Sequence, residues 1–180
     1  MTTSNPNTRV FRFCPRCGTQ SLSPFDIHAF GCSKCGFVFY LNTAAAVAGL
    51  IIRKSKELLV VLRNQEPCKG SWDLPGGFCM PGETAEAGLR REIHEELGLE
   101  IVSARYFCSA PNHYAFQDTM YETIDMAYLC EVDQLQTVRT NHEIAGYEFV
   151  PFAELRAARF GLSSIQAIVT KFIQHMGSER

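Results

Sequence analysis

The sequence contains no apolar run of the length that a membrane-spanning helix requires, which is about 18 to 20 residues. The N-terminal stretch MTTSNPNTRVFRF also lacks the apolar segment of a secretory signal peptide. We therefore expect a cytoplasmic protein that does not have a membrane among its partners.

The sequence also lacks a strong charge bias, low-complexity tracts and coiled-coil heptads. Its 180 residues carry a formal net charge of −2, so nothing in the totals calls for a polyanionic partner, and we expect nucleic acid not to be one. The hydrophobic fraction of 46% is sufficient for a core, and the charged fraction of 20% argues against disorder. The length predicts one domain of ordinary size with a small appendage.

Three regions differ in composition. Residues 1–8 are polar and are predicted to form a flexible tail, residues 9–40 hold four cysteines among turn residues and aromatics, and a globular domain is predicted over residues 43–176. Helices are expected at Thr84–Leu97, ended by Gly98, and at residues 163–176. The strand candidates are residues 44–53, 57–63, 101–110, 123–132 and 147–152, with a loop at PNHYAFQD (111–118). This order predicts a mixed sheet with a helix on each face.

Two Cys-x-x-Cys pairs, CPRC and CSKC, supply Cys14, Cys17, Cys32 and Cys35. Four thiolates at this spacing can surround one tetrahedral Zn²⁺, and an all-thiolate site is closed and structural. So short a segment cannot bury enough surface to fold alone, so the metal would stabilise it. Two disulfides or unrelated buried thiols are the alternatives; a redox pair normally stands alone at the start of a helix.

The remaining cysteines follow no metal-ligand spacing. They are Cys68, Cys79, Cys108 and Cys130. We interpret them as buried core thiols.

The predicted helix at Thr84–Leu97 carries an unusual acidic arc. On a helical wheel Glu92, Glu95 and Glu96 lie side by side, next to the apolar stripe. Glu92 and Glu96 are like charges at an unfavourable spacing, late in the helix where its dipole also disfavours anions. A solvated face balanced by Arg90 and Arg91 is one interpretation. Bound Mg²⁺ or Mn²⁺ is the other, because carboxylates and carbonyls are the ligands these ions prefer.

The residues before this helix extend the pattern into a family signature. Gly77, Glu83 and the run REIHEELGL (91–99) reproduce the complete Nudix box, and the preceding WDLPGG is also typical of Nudix proteins. The chain is therefore identified as resembling the Nudix hydrolases over residues 43 to about 176. The resemblance implies an α/β/α sandwich around a mixed sheet, here with a small N-terminal zinc ribbon. It also implies hydrolysis of a nucleoside diphosphate linked to another moiety: ADP-ribose, an NADH- or FAD-like dinucleotide, or a nucleoside triphosphate.

The resemblance also implies roles for individual residues. Glu92, Glu95 and Glu96 would ligate Mg²⁺ or Mn²⁺, helped by the carbonyl of Gly76 or Gly77. Arg91 and Glu83 would join the loop to the helix by an ion pair. For the general base, Glu143 lies in a loop before a strand, where the family often places this group, and the neighbouring His142 is an alternative.

The cysteine module resembles that of the NADH pyrophosphatase branch of the family. That branch carries a Ser-Gln-Pro-Trp-Pro run after the box, whereas SAPNHYAF here has Ser109 and Pro111 but no tryptophan. The closer resemblance is to short zinc-ribbon Nudix hydrolases. A base could stack on Trp72, Tyr114 or Phe116, and structural packing is the alternative for each.

Two other interpretations stay open at this point. The chain could be a non-catalytic module that senses nucleotides or binds protein or nucleic acid, although no position of the box is lost. The ribbon could also mediate a homodimer, because it holds more aromatic residues than so small a module can bury.

Overall fold

The computed structural model describes residues 5–133, 135 and 138–178. The chain forms two compact units. The first comprises the N-terminal part up to Thr43 together with His113–Glu122, and the second comprises Ala44–Asn112 and the chain from Thr123 onward.

The first unit is built on a three-stranded antiparallel sheet. Its strands are β1 (Leu22–Asp26), β2 (Ala29–Cys32) and β3 (Val38–Tyr40), and they lie in that order. The two cysteine pairs lie in tight turns that end at Gly18 and Gly36, both with a φ of +70°, a conformation that favours glycine. Four thiols at the ends of a small sheet fit the zinc ribbon expected from the sequence.

The N-terminal segment departs from the predicted flexible tail. Pro6–Arg9 form a 3-10 helix capped by Asn5, whose side chain accepts from the Asn7 backbone N–H. The Asn7 side-chain amide donates to the Met120 carbonyl at 2.7 Å and accepts from the Met120 N–H at 2.7 Å. Residues 5–8 therefore have a defined structure, and residues 1–4 lie outside the described part.

The second unit is a mixed sheet between two helices. Its helices are α1 (Ala85–Leu97) and α2 (Ser163–Ser178). Its strands are β4 (Ala44–Arg53), β5 (Glu57–Arg63), β6 (Trp72–Asp73), β7 (Gly76–Phe78), β8 (Ile101–Phe116), β9 (Thr119–Val132) and β10 (Ile144–Pro151), with the tip of β8–β9 in the first unit. The order is β10-β5-β4-β9-β8, with β6 on β5, β7 on β4, and β4 parallel to β9.

Strand alternation divides the core between the two helices. On β4, Ile51 packs in the cluster that contains Ile93 of α1, whereas the adjacent Leu50 packs in the cluster that contains Phe172 of α2. The predicted α/β/α sandwich with a mixed sheet is confirmed. In the part of the chain that the structure describes, no helix has the length and apolarity to cross a membrane.

The predicted loop at residues 111–118 is wrong. β8 continues to Phe116 and β9 begins at Thr119, so a long hairpin replaces the loop. Gln117 and Asp118 have φ values of 46° and 62°, which is the geometry of a two-residue hairpin turn with both residues at positive φ. The sequence carries no Asn-Gly or Asp-Gly at this point, so the turn signal was weak.

Candidate functional site

Helix α1 carries the acidic arc. Its N-terminus is capped by the Thr84 hydroxyl, and its C-terminus ends at Gly98, which has a left-handed conformation. Glu96 is 7% exposed and its Oε2 accepts from the Gly76 N–H at 2.8 Å. The Glu92 side chain is largely buried, whereas the Glu95 side chain is 52% exposed. Burial of the three carboxylates therefore decreases from Glu96 to Glu92 to Glu95, with Glu96 closest to the core.

Gly76 and Gly77 of β7 bring the backbone directly onto this arc. Gly76 has a φ of +145°, and a Cβ there would lie 2.0 Å from the Val47 carbonyl oxygen. A Cβ on Gly77 would lie 2.6 Å from the carboxyl carbon of Glu92. A side chain is therefore excluded at Gly76 by the backbone of β4, whereas a side chain at Gly77 would displace the Glu92 carboxylate. The β7 backbone thus lies directly beside the carboxylates.

Arg91 joins the loop to the helix. Its Nε and Nη2 donate to the two oxygens of Glu83 at 2.7 and 3.0 Å, which is a bidentate ion pair. Its Nη1 donates to Glu92 at 2.8 Å and to Glu95 at 3.1 Å, and Nη2 also donates to the Phe78 carbonyl at 3.0 Å. The guanidinium lowers the pKa of Glu83 to about 2. The ion pair between Arg91 and Glu83 is therefore present in the structure.

Burial is the largest influence on the pKa values of Glu96 and Glu92. Burial and the weaker effect of the charges of Glu92, Asp73 and Glu143 together raise the pKa of Glu96 to about 8, against the lowering effect of the Gly76 N–H. Burial also raises the pKa of Glu92, against the lowering effect of Arg91. A cation at this point would oppose both shifts, because it stabilises the ionised carboxylates.

The negative charge of Glu143 raises the pKa of both Glu92 and Glu96, so this predicted base lies near the other two carboxylates. Its backbone is fixed from two sides. The Glu143 N–H donates to the Asn141 side chain at 2.9 Å, and its carbonyl accepts from the Asn64 N–H at 3.0 Å. The His142 side chain is 85% exposed.

Two further buried carboxylates, Asp73 and Asp125, lie in the second unit and were not among the predicted site residues. Asp73 is 6% exposed and accepts from Arg63 Nη1 at 2.5 Å, and burial raises its pKa. Asp125 is 5% exposed and accepts from the hydroxyls of Thr123 and Ser164. An acid in the otherwise apolar run TIDMAYL was a signal that could have identified Asp125, since a buried charge needs partners.

The predicted stacking role of Trp72 is wrong. Trp72 is 5% exposed, its ring packs edge-on against Phe160, and the Arg159 guanidinium lies 3.3 Å from its ring centroid. The covered ring has no face for a base. Tyr114 and Phe116 lie near the end of β8 in the first unit, with ring centroids 6.5 Å apart, and their stacking role stays a prediction.

The four ribbon cysteines form a compact sulfur cluster. All four sulfurs lie within 4.8 Å of one another, and the Cys14–Cys35 and Cys17–Cys32 sulfur distances are both 3.7 Å. A tetrahedron with Zn–S bonds of about 2.3 Å has edges of about 3.8 Å, so the cluster fits zinc and the distances exclude disulfides. Two hydroxyl groups that the sequence did not indicate support the sulfur cluster. Thr19 Oγ1 lies 2.9 Å from Cys17 Sγ, and Ser21 Oγ lies 3.0 Å from Cys32 Sγ.

The other four cysteines are free and widely separated in the sequence. Cys130 is buried, as predicted, whereas Cys68, Cys79 and Cys108 are only partly buried. Among the residues that the structure describes, the ribbon cysteines are the one group of three or more potential ligands close enough to share a metal through single atoms.

Together the sandwich, the loop–helix ion pair and the acidic arc define a Nudix protein. The NUDIX domain family model matches residues 42–171, so the chain belongs to the Nudix family, whose hydrolases act on pyrophosphate bonds. Within the family it is similar to the NAD-capped RNA hydrolase NudC of Vibrio parahaemolyticus, with 31% identity over 126 residues. That match covers 70% of this chain and 45% of the relative, so the chain spans less than half the length of this curated relative.

A second NudC, from Chromobacterium violaceum, is 34% identical over 95 residues, which are 53% of this chain and 35% of the relative. Among solved structures, a NUDIX hydrolase from Nitrosomonas europaea superposes with a TM-score of 0.69, covers 92% of both chains and is 20% identical. A bifunctional NMN adenylyltransferase/ADP ribose pyrophosphatase from Francisella tularensis gives a TM-score of 0.59 at 21% identity, over 77% of this chain and 42% of that one. At these identities the structural matches support the fold alone.

Proposed function

We propose that the protein hydrolyses the pyrophosphate linkage of a nucleoside diphosphate derivative in a reaction that depends on Mg²⁺ or Mn²⁺. The observation that carries this proposal is the approach of Gly76 and Gly77 to Glu92 and Glu96. Buried carboxylates beside backbone polar groups, with too few cations to compensate them, form the donor set that a hard divalent ion prefers.

Glu92, Glu95 and Glu96 would hold the ion, with a carbonyl of Gly76 or Gly77. When bound, the ion would neutralise the charge of the diphosphate and favour ionisation of a water. The chain itself contributes positioning. The Arg91–Glu83 pair holds the glycine loop on α1, and the Gly76 N–H holds the Glu96 carboxylate. Since phosphoryl transfer needs little covalent assistance, such positioning is a main part of what the protein supplies.

Glu143 is the general base in this proposal. Its carboxylate is partly exposed and its charge acts on Glu92 and Glu96, so it can accept a proton at the edge of the site. Glu143→Gln keeps the shape and removes the base, and we expect kcat to fall by about 100-fold or more. His142→Gln is the matched control on the adjacent residue and is expected to change kcat less than about threefold.

The substrate that we favour is a dinucleotide of the NAD type, either free or as the 5′ end of an RNA. The support is the similarity to relatives named as NAD-capped RNA hydrolases. Against this, the chain lacks the tryptophan-containing run of the NADH pyrophosphatase branch, so the pocket for the base must be built differently. The proposal also revises the expectation that nucleic acid is not a partner.

The four cysteines hold a structural Zn²⁺ in this proposal, because the sulfur distances match its tetrahedral geometry and no sulfur is left to bind substrate.

A substrate panel tests the proposal. Purified protein with Mg²⁺ or Mn²⁺ is offered NADH, NAD-capped RNA, ADP-ribose, FAD and nucleoside triphosphates, and the products are separated by chromatography. We expect a mononucleotide product from NADH, abolished by Glu96→Gln and by chelation of the metal. No turnover with any substrate would refute the hydrolase assignment, and unchanged turnover in Glu96→Gln would refute the metal site.

A further inference from the structure

Glu143 lies just outside the regular sheet. β10 begins at Ile144, and its pairing with β5 begins at the pair Ile144–Arg63. A register shift between Ile144 and Gly146 leaves one extra residue in β10 at this end, which is a β-bulge. Glu143 therefore lies one residue beyond an irregular end of the ladder, where the sheet by itself does not define its orientation.

Asn64 holds this segment from the end of β5. It follows Arg63 directly, and its backbone N–H donates to the Glu143 carbonyl at 3.0 Å. Its side-chain Nδ2 extends one residue further and donates to the His142 carbonyl at 2.9 Å. One residue thus binds two successive carbonyls of the loop, and only the second of these bonds depends on the identity of the side chain.

The same loop is also tied to α1. The Asn141 N–H donates to the Glu96 carbonyl at 3.2 Å, and the Asn141 side chain accepts from the Glu143 N–H at 2.9 Å. The loop is therefore held by α1 through Asn141 and by β5 through Asn64, and Glu143 is bonded to both.

The amide of Asn64 is suited to this position. It supplies a neutral donor to the His142 carbonyl, whereas an ionised aspartate of the same shape would set an acceptor against an acceptor. Asn64 is exposed, so its hydrogen bond contributes little to stability, and its loss should leave the fold intact. The effect on rate can be larger than the effect on stability, because a displacement of about 1 Å at a catalytic group can cost about 100-fold.

We propose that Asn64 is a positioning residue: its side chain holds the His142–Glu143 backbone and thereby keeps the Glu143 carboxylate in place to accept a proton from water. The inference rests on the proposed function, in which Glu143 is the general base. Asn64 acts through the backbone that it binds and makes no contact with substrate.

The test is steady-state hydrolysis of NADH by the full chain with Mn²⁺. Asn64→Ala should lower kcat about tenfold and leave KM within about twofold, because it misplaces the base without removing a contact to substrate. Gln65→Ala is the matched control, since it truncates an exposed amide on the next residue, and it should keep the kcat of the wild type. Asn64→Asp keeps the shape but removes the donor, so it should reproduce the loss if the alanine variant misfolds.

A double-mutant cycle with Glu143→Gln identifies the group through which Asn64 acts. If that group is Glu143, adding Asn64→Ala to Glu143→Gln should change kcat by less than about twofold. Independent losses in the double variant, or a wild-type kcat in both Asn64 variants, would overturn the inference. A wild-type kcat in Glu143→Gln would instead overturn the base assignment on which the inference rests.

Amide hydrogen exchange separates this inference from the proposed function, because it needs no substrate. The Glu143 N–H donates to Asn141, and it should exchange at least about fivefold faster in Asn64→Ala than in the wild type if Asn64 holds the loop. Faster exchange in a protein without turnover would overturn the proposed function and support the loop contact. Unchanged exchange would overturn the positioning role of Asn64 whatever the turnover.

Discussion

Replacing Glu96 by Gln should stabilise the metal-free protein while removing its metal-dependent activity. Glu96 is almost fully buried, and burial raises its pKa to about 8 from the usual 4.5. The folded state therefore holds the proton more tightly than the unfolded chain does. Protonated Glu96 therefore contributes to the free energy of unfolding. This contribution is complete below about pH 4.5 and is lost progressively as the pH rises through about 8.

The size of the effect follows from the interval between the two pKa values. One pKa unit corresponds to about 1.4 kcal/mol, so ionisation of Glu96 should cost about 3 kcal/mol of the free energy of unfolding between about pH 5 and about pH 8. Gln keeps an oxygen that can accept from the Gly76 N–H but has no charge to lose. At about pH 8 the variant should therefore melt about 6 to 12 °C above the wild type.

The assay is thermal unfolding of chelator-treated protein at both pH values, with and without added Mn²⁺. Glu95→Gln is the matched control, because it removes the same charge from a side chain that is 52% exposed, and its effect should stay below about 1 kcal/mol. Mn²⁺ should stabilise the wild type at about pH 8 and leave Glu96→Gln unchanged. The reasoning is refuted if Glu96→Gln and the wild type have equal melting temperatures at about pH 8 without metal.

Three further predictions concern the other parts of the molecule. Gly77→Ala places a Cβ 2.6 Å from the Glu92 carboxyl carbon, so kcat/KM should fall by about 100-fold. Gly146→Ala is the control, because a Cβ there meets nothing within 4 Å. Its kcat/KM should stay within about twofold of the wild type. Cys32→Ser should lower the zinc content measured by elemental analysis from one ion per chain to well below one, because it replaces a thiolate ligand, and full zinc occupancy would contradict the site. Arg91 holds the pKa of Glu83 low, so the wild type loses free energy of unfolding as the pH falls from about 4.5 towards about 2. Glu83→Gln lacks this carboxylate, so its free energy of unfolding should fall less steeply over the same range. Acid unfolding as steep as in the wild type would contradict this.

Local pattern was sufficient to predict α1 and much of the ribbon. The period of the apolar residues placed Glu96 beside the core, where the structure finds it 7% exposed. The spacing of the cysteines likewise predicted a shared centre, because two tight turns bring four sulfurs together in any small ribbon. In both cases the information lies within short stretches of chain.

The features that sequence analysis missed depend on contacts between distant segments. Trp72 is covered by Phe160 and Arg159, almost ninety residues later, so no local rule distinguishes its packing from base stacking. Asp73 belongs to a strand of only two residues, which has no readable period. Its ion pair with Arg63 forms because β6 pairs with β5.

The arrangement of cations around α1 leaves Glu96 with less positive charge near it than Glu92 and Glu95 have. The described contacts of Arg91 go to Glu83, Glu92, Glu95 and the loop backbone, so its charge is shared among carboxylates other than Glu96. Glu96 instead has a backbone N–H from Gly76 and feels the charges of other acids. A dipole of this kind does not offset the burial of an ionised carboxylate, which is why the pKa of Glu96 remains near 8. In the proposed site, a divalent cation held by Glu96 and Glu92 would supply the missing positive charge, so Glu96 would lose its raised pKa when the metal binds.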